Sequence, residues 1–446
     1  MKHLSIFIFL MCSGLGFTQD ASVRFSLKEA IDYALENNRK AKNASRDIDA
    51  AEQQKWETTA TGLPQIDASV NYQNFLEPQL LGLPSDFTDP NAPLVALFFG
   101  AEQTAVASAK LNQLLFDGTY LVGLQSAKVF LEISKNAKVK TDLEVRKAVI
   151  NAYGNVLISE ESVIILEKNI TVLQKNLNET ISIYENGLEE EESVEQLQIT
   201  LTTLQSDLSN AKRLKNIAIQ MFNITLGIAF DTDTLLSDTL EDLTFQKIDL
   251  ETLNMQFDAK ETVDYQIANN TKVSNELMVK VEKAKALPSL SASLSGGFNT
   301  FSNDFALFDT SSQWYDFAIL GVNLNVPIFS SGMRNASTQR AKINLEKAED
   351  DLIEAEQQLN LQIATAKSNY QFATEDYYNK RQNLNLAERI ESKNQIKFFE
   401  GIGSSFELRQ AQIQLYTAQQ ELLQAMLDVI NTKTELETIT NNTTDN

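Results

Sequence analysis

The sequence contains two copies of one long pattern, and this duplication restricts the possible folds more than any other feature. Three pairs of segments match in order: 63–70 with 287–294, 111–116 with 324–329, and 194–211 with 408–425. A repeat of this length is not a short solenoid unit. Each copy, predicted at 20–227 and 261–440, has the order helix, strand, loop, strand, very long helix, tight turn and helix.

The first 19 residues are predicted to be a secretory signal that is removed. A short basic start, Met1-Lys2-His3, precedes an apolar run from Leu4 to Leu10 and a stretch that ends at Gln19. The alternative of a membrane anchor is disfavoured, because the apolar run is far shorter than the ~20 residues that a spanning helix needs. No other stretch is predicted to span a membrane as a helix, so a membrane position requires strands.

Removal of the signal also removes Cys12 and His3, the sole cysteine and histidine of the chain. The mature chain then lacks thiol and imidazole nucleophiles, disulfides and typical zinc ligands. We predict that it is not an enzyme and that it uses no cofactor. Its 60 acidic residues face 38 basic ones, one of which is Lys2, and this excess of negative charge disfavours nucleic acid as a partner.

Four segments alternate between polar and apolar residues. This alternation predicts strands with one polar face toward water and one apolar face away from it. They lie at about 64–75, 103–117, 288–301 and 314–329. Residues 76–100 contain prolines at four positions and are predicted to form a loop. Aromatic residues gather beside the loops, which favours a membrane-interface girdle over an ordinary core. They are Phe75, Phe98, Phe99, Phe298, Phe301, Trp314 and Tyr315.

Two proline-free stretches, 119–186 and 333–400, are predicted to be helical nearly throughout. Each would extend roughly 100 Å at ~1.5 Å per residue. Apolar residues in this region recur in steps of three and four, the spacing of a coiled-coil seam. The following helices, at about 192–227 and 405–440, continue this spacing. Each long helix is therefore predicted to fold back as an antiparallel hairpin.

Smaller segments carry weaker signals. A helix capped by Ser26 is predicted to continue to about Gly62. Residues 228–260 are acidic and only weakly periodic; a calcium loop is the alternative to a solvated insert, but most of the calcium-loop pattern is missing. The tail 441–446 is predicted to be disordered. Glu189–Glu192 forms either a solvated helix start that suits the helix dipole or a rim for docking or for attracting cations.

Four strands leave a membrane barrel unfinished, because closed barrels need ~8 or more strands and an open sheet edge cannot face lipid. Copies of the chain must therefore pool their strands, eight from two chains or twelve from three. Strand faces rich in Ser and Asn would then line a wet lumen. The alternative is a non-conducting trimeric coiled-coil protein with a structural or adhesin role, and single-channel conductance separates the two hypotheses.

A set of motifs resembles the TolC-like outer-membrane efflux proteins over essentially the whole mature chain. The motifs are Phe25–Leu35, the Leu-Pro strand entries at Pro64 and Pro288, the strand exits Phe116-Asp117-Gly118 and Pro327–Gly332, and the turns at Gly187 and Gly401 with the heptads after them. The resemblance implies a mainly α fold with a membrane β-barrel portion. In such a trimer, a twelve-stranded barrel with four strands per chain continues into a long periplasmic α-helical coiled-coil tunnel.

The resemblance also implies a function and partners. The protein would be an outer-membrane exit duct of a tripartite efflux pump or a type I secretion system, passively conducting substrates from periplasm to exterior. Implied partners are two further copies, outer-membrane lipid, a periplasmic adaptor, and an inner-membrane transporter of RND or ABC type reached through that adaptor. The adaptor would dock on the hairpin tips at Gly187, Leu188, Gly401 and Ile402.

A periplasmic gate is the second site that the resemblance implies. Glu407 keeps one of the acids that narrow the tunnel in this family, and Gln410 stands where a second acid is expected. Some members lock this end with polar links, and the matching positions here are Ser193, Phe398 and Gly403. Since Phe398 has no hydroxyl and Gly403 no charge, that lock cannot form here as it does in those members.

Overall fold

The computed structural model describes residues 23–442 apart from 78–79, 87, 99, 250 and 306–311. The predicted signal peptide, the girdle residue Phe99 and the tail residues 443–446 lie outside the described residues. The strands are β1 (Val23–Phe25), β2 (Gln65–Asn74), β3 (Leu81–Pro84), β4 (Leu94–Leu97), β5 (Gln103–Asp117), β6 (Thr234–Leu236), β7 (Ser289–Ser302) and β8 (Tyr315–Asn325). The α-helices are α1 (Leu27–Asn37), α2 (Arg39–Ala60), α3 (Gly118–Glu185), α4 (Glu191–Leu226), α5 (Leu240–Lys247), α6 (Val263–Ala284), α7 (Met333–Phe399) and α8 (Ser405–Thr440).

The chain divides into two compact units. The strand unit contains Asp47–Asn136 and Ile267–Glu354. The helix unit contains Met1–Arg46, Ala137–Gln266 and Ala355–Asn446. Each unit contains segments from both copies of the sequence repeat. Segments that are distant in the chain therefore belong to the same unit.

The strand unit holds a four-stranded antiparallel sheet in the order β2–β5–β7–β8. Its register aligns one apolar row across all four strands: Ile66, Leu111, Leu294 and Leu320. The next row points to the opposite face and is mostly polar: Asp67, Lys110, Ser295 and Ile319. Ile66 and Leu320 are 71% and 75% exposed. The sheet therefore has an apolar face that is largely uncovered, and β2 and β8 are its edges.

Two strand predictions need correction. Residues 76–100 are not a simple loop, because β3 and β4 form a short antiparallel hairpin in which Leu83 pairs with Val95. These strands are only four residues long, and the surrounding prolines concealed them. In the second copy, β8 ends at Asn325 instead of about 329, since Pro327 has no N–H with which to continue a ladder.

In the helix unit, α3 and α4 pack through the predicted seam. The buried residues of this seam are Leu166, Leu173, Leu177, Leu197, Leu201, Leu204 and Ala211. A larger core joins α1, α3, α4, α5, α7 and α8. Tyr153, Phe222 and Tyr370 are fully buried there, and the rings of Tyr153 and Phe222 meet edge-on with centroids 5.6 Å apart. Burial of these large side chains supplies the main driving force for the unit.

One helix corrects the prediction that no further stretch could cross a membrane. By length and composition, α3 contains a window apolar enough to do so. A buried core helix passes the same test, and Val149, Ile150 and Tyr153 of α3 are fully buried in the larger core. Packing therefore accounts for part of the apolar character of α3, since 39% of the window is buried.

The segment 228–260 is not the solvated insert that the sequence predicted. β6 pairs in parallel with β1, and Leu240 and Leu243 of α5 lie in the larger core. The turn before β6 is held by Asn223, whose side-chain amide donates to the carbonyl oxygen of Thr232 at 2.8 Å. Since β1 lies near the start of the chain, local periodicity could not reveal this pairing.

A buried polar network attaches the end of this segment to α8. Lys433 is 2% exposed, and its ammonium donates to the Asp249 carboxylate at 3.2 Å and to the Thr252 hydroxyl at 2.5 Å. The Tyr370 hydroxyl donates to the Lys247 carbonyl at 2.8 Å. The hydrogen bond from the Thr252 hydroxyl, with the nearby Lys433 charge, holds the pKa of Asp249 below its usual 3.8.

The first predicted helix is divided at Asn38 into α1 and α2. The Asn38 side chain donates from Nδ2 to the Thr225 carbonyl and accepts at Oδ1 from the N–H of Lys40, both at 2.7 Å. The end of α4 also comes close, because a Cβ added at Gly227 would lie 2.5 Å from the Asn37 carbonyl oxygen. A tertiary contact therefore divides a helix that the local sequence would continue.

Candidate functional site

The first helix of each hairpin, α3 or α7, ends at the tip in the same kind of turn. Four backbone hydrogen bonds of 2.8–3.1 Å form the turns: Gly187 N–H to Tyr184, Leu188 N–H to Ile183, Gly401 N–H to Phe398 and Ile402 N–H to Lys397. This is the Schellman arrangement, in which the residue after the helix is left-handed. The φ angles of Gly187 and Gly401 are +76° and +75°, which explains why glycine stands at both tips.

The residue after each tip glycine is apolar and exposed. Leu188 and Ile402 are each 78% exposed. In many Schellman turns this side chain packs against the preceding helix, whereas here both side chains remain in solvent. A Cβ added at Gly187 or Gly401 would meet nothing within 4 Å. The predicted docking residues thus form two matching apolar tips with open space around them.

Ser193 links the first hairpin to the second just beyond the tips. It is 6% exposed, and its hydroxyl lies 2.7 Å from the Ser405 hydroxyl. The same hydroxyl donates to the Glu189 carboxylate at 2.5 Å. Glu191 and Glu192 lie in the first turn of α4, where acids suit the helix dipole. The acidic run therefore contributes to local structure at the start of α4.

Glu407 and Gln410 are both exposed and stand one turn apart at the start of α8. Glu407 forms a capping box with Ser404: its N–H donates to the Ser404 hydroxyl, and its carboxylate accepts from the Ser404 N–H, both at 3.2 Å. These bonds fix the orientation of the carboxylate. The contact between Ser193 and Ser405 lies two residues before Glu407, so the predicted gate residues occupy one small region.

The two other lock positions are Phe398 and Gly403, and neither carries the group that the lock needs. Phe398 is 4% exposed and stacks edge-on with Phe399 at 5.3 Å. A Cβ added at Gly403 would lie 2.9 Å from the Lys397 Cβ and 3.2 Å from the Phe398 backbone nitrogen. The fold of the second tip therefore excludes a basic side chain at 403 unless the backbone moves.

The structure adds two links between the hairpins that the sequence analysis did not identify. Asn176 is fully buried and accepts a hydrogen bond from the Gln395 amide at 2.9 Å. Asn169, 6% exposed, donates to the Gln419 amide oxygen at 2.8 Å. The two asparagines are seven residues apart in α3, and polar residues at this heptad spacing were the signal available in the sequence. With Ser193, they give the contact between the two hairpins three polar links.

A partly buried carboxyl group lies in the second hairpin. Burial raises the pKa of Glu391 on α7, and burial together with the Glu391 charge raises the pKa of Tyr416 on α8 to about 12. Over the described residues, no group of three or more His, Cys, Asp or Glu side chains is placed to hold a metal ion. The site is thus built from turns, hydroxyls, amides and carboxylates.

Comparison with known proteins gives a family match and several similar structures. The profile of the family described as outer membrane efflux protein matches residues 30–222 and 275–442. The solved structure of the outer membrane protein VceC from Vibrio cholerae has 16% sequence identity and a TM-score of 0.70, and the alignment covers 93% of this chain and 95% of that one. No curated protein gives a sequence match.

Two further structures have the same fold. CusC has 18% identity and a TM-score of 0.73, over 93% of this chain and 91% of that one. The MtrE outer membrane channel of Neisseria gonorrhoeae, solved in its open state, has 16% identity and a TM-score of 0.67, over 93% of this chain and 88% of that one. At these identities the similarity establishes the fold.

Proposed function

The chain belongs to the outer membrane efflux protein family, and we propose that it serves as the exit duct of a tripartite efflux pump or a type I secretion system. The family consists of channels and not of enzymes. Membership confirms the predicted position in the outer membrane, with a helical tunnel on the periplasmic side. In this proposal the two repeats, 20–227 and 261–440, supply equivalent halves, and substrates pass without chemical change.

The uncovered apolar face of the strand-unit sheet is the observation that carries this proposal. Its apolar row crosses all four strands, from Ile66 to Leu320, and suits lipid. The opposite face, with Ser and Asn side chains, suits water. Edge strands β2 and β8 need partners inside a bilayer. Three copies would join these edges into a twelve-stranded barrel, so we propose a homotrimer in contact with outer-membrane lipid.

The hairpin tips are the proposed docking site for a periplasmic adaptor. Leu188 and Ile402 are apolar, exposed and displayed on equivalent turns, as a protein contact requires. Through that adaptor the duct would receive substrate from an inner-membrane transporter of RND or ABC type. At the same end, Glu407, Gln410 and Ser193 are the proposed gate, with Ser193 holding the hairpins together and Glu407 supplying charge.

Native mass and conductance test this proposal together. Protein purified from outer membranes in detergent should have the mass of three chains, and it should produce discrete single-channel currents in a planar bilayer. A stable monomer or dimer would contradict the homotrimer. A trimer without conductance would instead favour the structural or adhesin alternative.

A further inference from the structure

A pocket lies inside the helix unit where α5 meets α1, α3 and α8, and its cavity volume is about 270 Å³. We call it the α5 pocket. Its walls include Ile31, Arg146, Leu243, Lys247, Lys433 and Glu437. Ligand pockets usually have volumes of roughly 300–1,000 Å³, so this one suits a small molecule. Among the described residues, its lining includes none of the proposed tip or gate residues.

The inner end of the α5 pocket has more positive than negative charge. Lys433 and Glu437 are only 2% and 3% exposed. Three further charged residues that line the pocket are half-buried: Arg146, Lys247 and Asp249. Three cationic side chains therefore share two carboxylates. Because a buried charge is costly unless it is paired, one additional anion would balance this end of the pocket.

Lys247 has hydrogen-bonding capacity that the fold does not use. Among the described residues, its ammonium is bonded to Glu437 alone, at 3.4 and 3.3 Å from the two carboxylate oxygens. Hydrogen bonds between an ammonium and a carboxylate are normally about 2.7–2.9 Å long, and an ammonium has three N–H donors. The Lys247 ammonium can therefore accept a second, closer anionic partner from the pocket.

The electrostatic surroundings of Lys247 favour such a partner. Burial lowers the pKa of Lys247, the Glu437 carboxylate opposes this effect, and the charges of Arg146 and Lys433 add to it. An anion in the pocket would stabilise the charged ammonium and offset the repulsion among the three cations. The same rearrangement is not needed at Lys433, which already has Asp249 and the Thr252 hydroxyl as partners.

The remaining charges of the pocket leave its inner end open to an anion. Lys28 and Asp32 are exposed and stand about one turn apart on α1, so their opposite charges offset each other. Asp238 is half-buried, and its Oδ2 accepts from the Tyr153 hydroxyl at 2.9 Å and from the Leu27 N–H at 2.8 Å. These two donors stabilise the Asp238 carboxylate, so no uncompensated acid lines the entrance.

Apolar side chains stand beside the buried charges. Ile31 of α1 and Leu243 of α5 line the pocket, and both belong to the larger core of the helix unit. Their packing in that core fixes their position. The pocket thus combines a cationic end with an apolar wall, the combination that fits an organic acid better than an inorganic ion.

We propose that the α5 pocket binds a small organic acid in its carboxylate form. The carboxylate pairs with Lys247 beside Arg146, and the apolar part of the molecule packs against the apolar wall. The bound molecule would connect α5 to α3 and α8 and so stabilise the segment 228–260. This site is additional to the proposed function, since it requires neither the trimer nor the adaptor.

Fluorine NMR of para-fluorobenzoate, added to the purified protein in detergent near neutral pH, tests the site. The neutral para-fluorobenzamide has the same ring and reports uptake by the detergent. The benzoate should bind saturably, and the amide at least about tenfold more weakly, because it lacks the charge that pairs with the ammonium. Equal affinities for the two molecules, or no saturable binding of the benzoate, would overturn the proposal.

Variants of Lys247 locate the binding. Lys247→Met should weaken the affinity for para-fluorobenzoate roughly tenfold or more, whereas Lys247→Arg keeps the positive charge and should bind within about threefold of the unmodified protein. The matched control is Lys260→Met, because Lys260 pairs with Glu356 at 3.2 Å in the same unit and does not line the pocket. Undiminished binding in Lys247→Met, or an equal loss in Lys260→Met, would overturn the assignment.

A second pair of variants leaves every buried charge in place. Gln246 is exposed and lines the pocket, so Gln246→Trp should narrow the pocket and weaken binding of para-fluorobenzoate. Phe245, the preceding residue of α5, is 74% exposed and does not line the pocket, so Phe245→Trp should bind normally. The same affinity in both variants would show that the probe binds outside the α5 pocket, and the proposal would fail.

Discussion

The hydroxyl of Ser193 lies 2.7 Å from the hydroxyl of Ser405, and the two residues come from different copies of the sequence repeat. This contact ties the first hairpin to the second two residues after α4 begins. The pairs Asn176–Gln395 and Asn169–Gln419, whose asparagines are buried, continue the same polar contact along α3. Polar links of this kind are individually weak, which suits the proposed gate, in which the two hairpins would separate.

We predict that Ser193→Ala increases the open fraction of the resting channel. The change removes the links to Ser405 and Glu189, and a loss of about 1 kcal/mol shifts a two-state equilibrium roughly fivefold. Single-channel recording in bilayers gives the open fraction directly. Thr200→Ala is the control, because among the described residues the Thr200 hydroxyl bonds within α4 alone, to the Gln196 carbonyl. Equal open fractions in both variants would remove Ser193 from the gate.

We predict that Gly401→Val abolishes export while trimers still insert in the outer membrane. The +75° φ of Gly401 costs a branched residue about 1–2 kcal/mol, so the tip must change shape. Gly332→Val is the control, since Gly332 has a φ of +81° and also has nothing within 4 Å of an added Cβ. Accumulation of an efflux substrate measures export. Normal export by Gly401→Val would exclude the second tip from docking.

We predict that Glu407→Gln lowers the cation preference of the channel, most strongly at low salt. Three copies of the carboxylate around one axis would concentrate negative charge, which salt screens. Glutamine retains the capping box with Ser404, so the helix start is preserved. Reversal potentials in salt gradients measure the preference. The control is Glu29→Gln, which changes the equivalent capping residue of α1 and should leave the reversal potential unchanged. An unchanged reversal potential in Glu407→Gln would show that Glu407 does not line the constriction.

We predict that Leu320→Lys prevents stable insertion of the strand unit in the membrane. A lysine that faces lipid near mid-bilayer costs about 2–4 kcal/mol per chain, and Leu320 belongs to the apolar row of the sheet. Ile319→Lys is the control, because Ile319 is also exposed but points to the opposite face. Heat-resistant trimers in outer-membrane fractions measure insertion. Tolerance of Leu320→Lys together with loss in Ile319→Lys would reverse the assignment of the faces.

We predict that the segment around Asp249 loosens in acid. Its pKa is held below 3.8 by the Thr252 hydroxyl and Lys433, so the charged form is stabilised by folding. This stabilisation is present above pH 3.8 and is lost as the pH falls through the lower folded value. The protection factors of the amides of residues 240–249 and 251–254, which correct for the pH dependence of intrinsic exchange, should therefore fall below about pH 4.

Asp249→Asn should lower the protection factors of the same residues near neutral pH and weaken the acid dependence of those factors. Asp233→Asn, an exposed change in the same insert, is the matched control. Protection factors that stay constant below pH 4 in the unmodified protein would contradict the role of Asp249.

The sequence by itself determined the repeat and the local elements. Alternation and heptad spacing depend on neighbouring residues, so they located the four main strands, the two hairpins and the glycine tips without tertiary information. The capping box at Ser26 was predicted from spacing in the same way, whereas the one at Ser404 was found only in the structure. The candidate tip residues were predictable because a left-handed turn after a helix favours glycine whatever surrounds it.

Only the tertiary structure decided features that depend on distant residues. Asn38 interrupts a helix because its side chain binds the end of α4, and β6 forms because β1 is its partner. Leu240 and Leu243 are buried because the larger core has room for α5. Ser193 was named from the sequence as a residue of the proposed gate, but its contact with Ser405 and the links through the buried Asn169 and Asn176 were not. Such contacts depend on which helix faces meet, and that is set by packing across the unit and not by any local pattern.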